Sequence, residues 1–407
     1  MNAPSTGHAR PLSLAQVLLC GAAVVTLSMG IRHGFGLWLA PITMERGWTR
    51  ETFSFAMAVQ NLAWGLVGPV AGVFADRFGA WRTLIVGALV YALGLALMAV
   101  STTGLAFAGS AGLLVGAAQA GTTYAVIYGV IGRNVPADRR SWAMGMAAAA
   151  GSFGQFMMVP VESWLIGHLN WQNALFVLAG SALLIIPLAF GLREHIGVAS
   201  GGPRQSPGEA VREAVSNRNF LLLTAGYFVC GFQLAFVGVH MPSYLKDKGL
   251  GPEVATTALA LIGLFNIVGT YAVGQLGQRW PKPFILSAIY ALRAVVITVF
   301  VLAPLSPTAV YLFSAAMGAL WLSTVPPTNA VVAQIFGVQY MSMLSGFVFL
   351  SHQVGSFMGV WLGGKLFDST GSYAVVWWLS VAFGVFAALI NLPVRDAPLV
   401  RSARATA

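Results

Sequence analysis

The chain has 407 residues, of which 57% are hydrophobic and only 8% are charged, and its mean hydropathy is +0.77. A soluble globular protein carries about 25% charged residues, so this chain could not cover a water-facing surface. Its net charge of +10 comes from basic residues scattered between apolar runs, without the basic stripe that nucleic acid would need. Cys20 and Cys230 both lie in apolar segments and predict neither a disulfide framework nor a metal site. The composition is that of an integral membrane protein.

Apolar runs long enough to cross a bilayer, which takes about 20 residues, recur along the whole chain. The predicted spans are 14–39, 52–75, 82–101, 105–131, 142–165, 172–192, 219–242, 254–276, 284–303, 308–334, 341–366 and 373–393. Each run is continuous, whereas the strands of a membrane barrel alternate apolar and polar residues. We therefore expect an all-α membrane protein with twelve transmembrane helices.

Lys and Arg residues favour one side of the predicted bundle. With both termini inside, fifteen of them fall in cytoplasmic segments, and the five outer ones are Arg46, Arg50, Lys246, Lys248 and Lys365. Because cytoplasmic loops are enriched in Lys and Arg, we expect a multi-pass protein of the cytoplasmic (inner) membrane with both termini in the cytoplasm. The hydrophilic segment 193–218 is predicted to be a cytoplasmic linker between two six-helix bundles, 1–192 and 219–407.

The two predicted bundles share short sequence matches. Residues 72–77 follow the second span and resemble residues 274–279 after the eighth, an offset of 202 (274 − 72). The tripeptide Gly-Ser-Phe occurs at 151–153 and again at 355–357, an offset of 204 (355 − 151). Two matches at nearly one offset indicate duplication of a six-helix unit. Transporters built from such parallel halves commonly bind substrate near the membrane midplane.

The segment 72–82 resembles the signature that the major facilitator superfamily carries between its second and third spans. The matching positions are Asp76, Arg77, Gly79 and Arg82, whereas Ala80 and Trp81 replace residues that are usually basic. The resemblance covers essentially the whole chain and implies two pseudo-symmetric six-helix bundles that transport by alternating access. It also implies that Asp76, Arg77 and Arg82 form a conformational latch that stabilises the outward-open state. Alternatively, the two arginines only follow the charge rule for cytoplasmic loops.

Three further segments resemble the monocarboxylate transporter and oxalate/formate antiporter branch of that superfamily. They are 32–41 at the end of span one, 47–50 before span two, and 239–247 at the end of span seven. These motifs are less specific than the loop signature. They suggest a branch and leave the substrate open.

Few ionisable side chains lie within the predicted spans, and such residues are costly in hydrocarbon unless they serve a function. They are Arg32, His33, Glu162 near the outer end of span five, His240 at the end of span seven, Arg293 and His352. No Asp or Glu falls near the middle of any predicted span. The deep charges are therefore positive or can become positive, which predicts an anionic substrate such as a carboxylate.

Arg32 is the first candidate to bind a carboxylate, because a planar guanidinium donates two parallel hydrogen bonds. The alternative is an arginine that reaches the outer headgroups, since Arg32 lies about two-thirds of the way along its predicted span. His352 could bind an anion when protonated and so couple protons to transport, or it could be a packed, hydrogen-bonded residue. Arg293 could offer a second cationic contact, or it could tie span nine to neighbouring carbonyls.

The other candidate substrate-binding residues are polar side chains on the predicted core helices: His33, Tyr124, Tyr128, Gln233, Asn266 and Gln353. Tyr124 and Tyr128 are four residues apart, so they share a helix face and could cap a carboxylate with their hydroxyls. For each of these residues taken alone, a hydrogen bond to a neighbouring helix is at least as good an explanation as ligand contact.

Together these features predict a secondary active transporter, and not an enzyme, that moves a small organic anion, specifically a monocarboxylate. Proton coupling is one option, and exchange or export without proton coupling is the other. A non-transporting membrane sensor is a third and weaker reading. The expected partners are the substrate, protons and the lipid bilayer, with no nucleic acid. We expect a monomer without cofactor or metal ion.

Overall fold

The structure is a computed structural model that describes residues 12–193, 206–337 and 341–399. Its helices, in chain order, are α1 (Leu14–His33), α2 (Phe35–Arg46), α3 (Arg50–Phe78), α4 (Ala80–Val100), α5 (Gly104–Phe107), a π-helical stretch (Ala108–Leu114), α6 (Val115–Thr122), α7 (Tyr124–Asn134), α8 (Ala137–His168), α9 (Trp171–Ala182), α10 (Ile185–Phe190), α11 (Pro207–Val215), α12 (Arg218–Asp247), α13 (Pro252–Leu276), α14 (Lys282–Leu302), α15 (Pro307–Ala319), α16 (Val325–Phe336), α17 (Met341–Thr370) and α18 (Ala374–Asn391). The described chain is thus all-helical, as predicted.

Within the described ranges, 11 helical segments are long and apolar enough to cross a membrane. The predicted tenth span is divided into α15 and α16 by a turn at 320–324, which interrupts the long helix that such a count requires. The two pieces together are consistent with a twelfth crossing. The predicted linker 193–218 contains α11, which Ser206 and Glu209 begin with a reciprocal capping box. Residues 194–205 of that linker lie outside the described chain.

The first span is longer than its hydropathy predicts. α1 and α2 continue one another across a single interruption at Gly34, so helical structure runs on past residue 39 to Arg46. The polar residues of the last turn do not end the helix; Gly47 does, with a φ of +66° that glycine adopts without strain. As a result Arg32 lies near the middle of the continuous helical stretch from Leu14 to Arg46.

The two halves, defined as α1–α10 and α12–α18, are assembled in corresponding ways. In the N half α1 packs on α8, and in the C half α12 packs on α17. Both pairs approach backbone to backbone at glycines: a Cβ on Gly154 would lie 2.2 Å from the Thr26 carbonyl oxygen, and one on Gly355 would lie 2.0 Å from that of Phe228. Such close approach without Cβ atoms is how helices gain packing contacts inside a membrane.

The halves touch each other at residues that correspond in the repeat. A Cβ on Gly36 would lie 2.2 Å from the carbonyl oxygen of Gly238. The two glycines are separated by 202 residues (238 − 36), which is the offset of the repeated loop segment. Equivalent residues of two similar units meet only near the axis that relates them, so this contact lies near the pseudo-twofold axis.

Contacts between the halves extend from one membrane face to about mid-height. We call the face at the ends of α2 and α12 the distal face, and the face at the end of α3, near Phe78, the terminal face. Trp64 and Phe349 have ring centroids 5.3 Å apart, and Gly65 abuts Gln353. Further along α3 a Cβ on Gly68 or Gly72 would meet nothing within 4 Å. The cleft between the halves is therefore closed at the distal face and open toward the terminal face.

Candidate substrate-binding site

Arg32 lies on α1 beside the cleft. Its Nη2 donates a hydrogen bond to Oδ1 of Asn61 on α3, and its guanidinium carbon lies 4.8 Å from the centroid of the Trp64 ring. Its Nε is buried and has no hydrogen-bond partner. Among the side chains that the structure describes, no carboxylate lies within ion-pair distance of Arg32. The site therefore contains a positive charge with an unused N–H donor, and no anionic side chain in the described ranges neutralises it.

The position of Arg32 along the helix decides where this charge can reach. Arg32 precedes Arg46, the last residue of α2, by 14 residues (46 − 32), which corresponds to roughly 20 Å along the axis. That is well beyond the reach of an arginine side chain. In this structure Arg32 thus contacts Asn61 and Trp64 of α3, well away from the distal end of α2.

Asn61 connects Arg32 to the other half. The carbonyl oxygen of Asn61 accepts a hydrogen bond from Nε2 of Gln353 at 3.1 Å, and Oε1 of Gln353 lies 3.0 Å from Nδ1 of His352. That oxygen can accept a hydrogen bond from the His352 tautomer that carries its proton on Nδ1. The His352 ring is stacked at 5.8 Å on Phe349 and lies 5.0 Å from the Tyr227 ring. Three predicted residues, Arg32, His352 and Gln353, are thus joined in one chain across the cleft.

Tyr124 and Tyr128 on α7 lie on the N-half wall of the same region. Their ring centroids are 5.7 Å apart, and both side chains are half-buried. The Tyr124 hydroxyl rests against α8, where a Cβ on Gly151 would lie 2.0 Å from it. Tyr124 lies close enough to Arg32 for the two side chains to interact electrostatically. Tyr128 lies equally within electrostatic range of Tyr227 on the other side of the cleft.

The remaining candidates hold helices together and do not share the Arg32 network. Nε2 of Gln233 donates to the Ser380 carbonyl oxygen at 2.8 Å and so ties α12 to α18. Asn266 donates to Ser152 Oγ at 2.8 Å and accepts from the Leu322 amide at 2.9 Å. Both side chains are buried.

His33 and Arg293 are also engaged with backbone carbonyls. Nδ1 of His33 lies 2.6 Å from the carbonyl oxygen of Met29, one turn earlier on its own helix. Arg293 is fully buried and donates to the carbonyl oxygens of Leu320 and Trp321, at the turn that divides α15 from α16. Only its Nη1 has no partner. These contacts are the ones expected of an arginine that ties span nine to neighbouring backbone carbonyls.

The fold agrees with a comparison of the sequence against known families. Residues 18–360 match the Major Facilitator Superfamily. The chain belongs to this superfamily.

Curated relatives of this facilitator include transporters with a named substrate class. Monocarboxylate transporter 13 of Bos taurus is 26% identical over 382 residues, covering 90% of this chain and 86% of the relative. Monocarboxylate transporter 11 of Homo sapiens is 25% identical over 381 residues, covering 88% and 78%. An uncharacterized superfamily transporter of Bacillus subtilis, YcxA, is 22% identical over 382 residues, covering 89% and 90%.

Solved structures with the same fold are more distant in sequence. A D-xylose–proton symporter superposes with a TM-score of 0.71 at 16% identity, covering 94% of this chain and 98% of that one. A bacterial homologue of the human lysosomal transporter Spinster, in an inward-facing and unoccupied conformation, superposes with a TM-score of 0.70 at 14% identity, covering 93% and 98%. These likenesses establish the fold.

The superfamily signature lies at the terminal face of this facilitator. The Asp76 side chain is outside the described part of the structure, and Arg77 and Arg82 are exposed. The guanidinium carbons of Arg82 and Arg193 lie 5.0 Å and 5.3 Å from the centroid of Trp81, which stands where the signature is usually basic. The tryptophan thus joins the start of α4 to the chain after α10. The latch itself remains a prediction.

A cluster of inter-half bonds closes the distal face, and sequence reasoning missed it. Arg50 on α3 donates two hydrogen bonds of 2.6 Å to the Asp247 carboxylate on α12, and a third of 2.9 Å to the Tyr373 hydroxyl. Its guanidinium carbon also lies 3.8 Å from the centroid of the Phe367 ring. The Asp368 carboxylate accepts from the backbone amides of Arg50 and Glu51 at 3.2 Å and 2.6 Å, and thus caps the N-terminus of α3.

His240 extends this distal seal into the bundle. Because Arg50 already donates to the Tyr373 oxygen, the Tyr373 O–H is free to donate to Nδ1 of His240 at 3.1 Å. Nε2–H of His240 then donates to the Val360 carbonyl oxygen at 2.8 Å. We use the term distal seal for Arg50, Asp247, Asp368, Tyr373 and His240.

Two signals in the sequence could have pointed to the missed residues. Asn61, the direct partner of Arg32, follows Gln60, and two adjacent amides are unusual within an apolar span. Arg50 and Asp247 end the two short motifs, 47–50 and 239–247, that resemble the monocarboxylate transporter branch. Opposite charges at the outer ends of two spans are a reason to test for a pair.

Proposed function

We propose that this facilitator moves a small organic anion, specifically a monocarboxylate, across the cytoplasmic membrane by alternating access. The observation that carries the proposal is the state of Arg32, a cation beside the cleft whose Nε has no hydrogen-bond partner and which has no carboxylate partner among the described side chains. A substrate carboxylate would supply the missing charge and accept two parallel hydrogen bonds. Relatives named monocarboxylate transporters support the substrate class.

The other groups around Arg32 suit such a ligand. The phenols of Tyr124 and Tyr128 can donate to a carboxylate, and Trp64 provides an apolar wall beside the guanidinium. Asn61 holds Arg32 in place and, through Gln353, connects its position to the C half. Filling the site can thereby change how the halves meet, which alternating access requires.

The proposed orientation places the terminal face in the cytoplasm, because Lys and Arg are concentrated in the segments on that side. The cleft of this structure then opens inward and the distal seal closes the outward side. In the opposite state the seal would break, and the Asp76, Arg77 and Arg82 latch would bring the cytoplasmic ends together.

The proposal is tested with purified protein in liposomes and radiolabelled L-lactate as the probe, with pyruvate, acetate and succinate as competitors. Charged hydrogen bonds contribute about 1.5–3 kcal/mol, so we expect Arg32→Ala to lower uptake roughly 10- to 100-fold. Arg32→Lys should retain part of the activity because it keeps the charge without the planar fork. Uptake by Arg32→Ala at the wild-type rate would falsify the proposal.

A matched control is Arg46→Ala. Arg46 lies on the same first crossing, but its guanidinium carbon rests 5.2 Å from the Trp171 ring centroid at the distal end. This variant should transport normally. Counterflow then separates two transport modes: an exchanger needs substrate on both sides, whereas a proton symporter is driven by an acidic exterior alone.

A further inference from the structure

Glu162 is a buried carboxylate for which the proposed anion site has no use. It lies on α8 and is fully buried. Its Oε2 accepts a hydrogen bond of 2.7 Å from Nε1 of Trp38 on α2, while its Oε1 is buried without any partner. Among the described side chains, no cation lies within ion-pair distance of it. Since an unpaired buried carboxylate is costly, the neutral, protonated form is the one that this environment favours.

The carboxyl group lies at the interruption of the first crossing. A Cβ on Gly34, the residue between α1 and α2, would lie 1.9 Å from Oε2 of Glu162. Arg32 precedes Gly34 by two residues, which is about 200° around a helix, so the two residues point to opposite sides of α1. Arg32 and Glu162 therefore do not pair, and the thickness of one helix separates them.

Little else on the surrounding elements can compensate a charge on Glu162. The ionisable side chains that the structure describes on these elements are Cys20, Arg32 and His33 on α1, Glu45 and Arg46 on α2, Arg82 and Tyr91 on α4, Tyr124, Tyr128 and Arg133 on α7, Arg139 and His168 on α8 itself, and Glu253 and Tyr271 on α13. Glu45 and Arg46 lie at the distal end of α2, and α9 contributes no ionisable residue. Glu253 lies in the first turn of α13, and the α13 segment 256–266 that packs on α8 is uncharged. Arg32, across the helix, is the mid-membrane cation in this set.

We propose that Glu162 is a proton-binding site coupled to the anion at Arg32, an inference that rests on the proposed function. A proton added at Oε1 converts the carboxylate to a carboxylic acid and leaves the Trp38 hydrogen bond to Oε2 in place. One proton at Glu162 and one monocarboxylate at Arg32 together add no net charge to the membrane interior. The pair can therefore cross as a neutral load when the halves rock.

The sign of the coupling follows from the charges. Ionised Glu162 partly neutralises Arg32, and protonation removes that competitor, so the anion binds more tightly to the protonated form. Two unit charges roughly 10 Å apart at an effective dielectric constant near 20 couple by about tenfold in affinity. By reciprocity, a bound anion raises the proton affinity of Glu162 by the same factor.

Two measurements on the full chain in detergent test this inference. The first is an infrared pH titration of the carboxylic acid C=O stretch, which needs no substrate. The second is L-lactate binding by calorimetry at pH 5.5 and 8, together with proton uptake in weakly buffered solution. The variants are Glu162→Gln, which keeps an oxygen for Trp38, and Trp38→Phe, which keeps the carboxyl and removes its donor.

Glu45→Gln is the matched control, because Glu45 also accepts an indole N–H at 2.7 Å, from Trp171, but is exposed. We expect a titrating C=O band in the wild type and in the Glu45→Gln protein, and its loss in Glu162→Gln. Lactate affinity should fall about tenfold between the two pH values in the wild type and stay at the low-pH value in Glu162→Gln. Trp38→Phe should move the midpoint to higher pH, since the carboxylate has lost its donor.

The inference is overturned if the titrating band survives Glu162→Gln, or if that variant keeps the pH dependence of lactate binding. Similar effects of Trp38→Phe and Glu162→Gln would assign Glu162 a packing role and also overturn it. Should Glu162→Gln fail to fold, Glu162→Asp, which keeps a titratable group, must shift the band without abolishing it. If the band titrates as expected but no carboxylate binds, the proton site stands and the proposed substrate class fails.

Discussion

Arg50→Ala is the change that most directly tests how the halves are held together. It removes at once the bidentate bond to Asp247, the bond to Tyr373 and the contact with Phe367, while Asp368 can still cap the backbone of α3. All these contacts join the N half to the C half at the distal face. The variant should therefore shift the protein toward the state that is open at that face.

The size of the shift can be worked from the exposure of each contact. The side chains of Arg50 and Asp247 are 18% and 31% exposed, so solvent screening limits their ion pair to about 1 kcal/mol. The Tyr373 hydrogen bond contributes about 1 kcal/mol more, and the guanidinium over Phe367 about 0.5–1 kcal/mol. A total of about 3 kcal/mol corresponds to a roughly 100-fold change in the ratio of the two states.

The assay is a distance measurement between spin labels at Met44 on α2 and Lys246 on α12. These residues touch across the halves, with Lys246 Nζ 3.1 Å from Met44 Sδ. In a background with Cys20→Ser and Cys230→Ala, the short distance should dominate, and Arg50→Ala should populate a longer one. Arg46→Ala, whose contacts stay within the N half, is the control. Identical distance distributions for Arg50→Ala and the control would refute the reasoning.

Two further substitutions test the packing. Gly36→Ala should force the distal ends of the two halves apart, because the added Cβ would lie 2.2 Å from a backbone oxygen. Gly238→Ala is the control: its Cβ would meet nothing within 4 Å, so the distance between the spin labels should not change. Equal effects of the two substitutions on that distance would contradict this reasoning. Arg293→Met should lower stability by about 2–4 kcal/mol, read as a lower unfolding temperature in detergent, because the Leu320 and Trp321 carbonyls lose their charged donor. Loss of lactate binding at unchanged unfolding temperature would instead place Arg293 in the substrate site.

The sequence determined the class of protein and the chemistry of its centre. Hydropathy is a local property, so continuous apolar runs predict membrane helices wherever they occur. The scarcity of charge inside those runs likewise singled out Arg32 and His352, which the structure brings to one network. The superfamily signature at 72–82 led to a family that the comparison confirmed.

The sequence was less informative where a backbone feature sets the end of a helix, or where a residue distant in the chain sets the role of a side chain. Hydropathy ended the first span near residue 39, but helical structure continues past Gly34 to Arg46, so Arg32 lies near the middle of this stretch. From the sequence, Gln233 and Asn266 could bind a ligand or a neighbouring helix, and in the structure they donate to a carbonyl and a hydroxyl on neighbouring helices. An amide's role depends on what lies opposite, which the local sequence does not contain.

Tertiary structure alone decided the contacts between residues far apart in the chain. Arg50 and Asp247 are 197 positions apart, and each reads as an ordinary charged residue at a helix end until the halves are brought together. Glu162 likewise reads as a residue near the outer end of a span, and only packing shows that it is buried, pressed against Gly34 and without a cation partner among the described side chains. Burial and pairing are properties of the assembled bundle, because they depend on which surfaces the other helices cover.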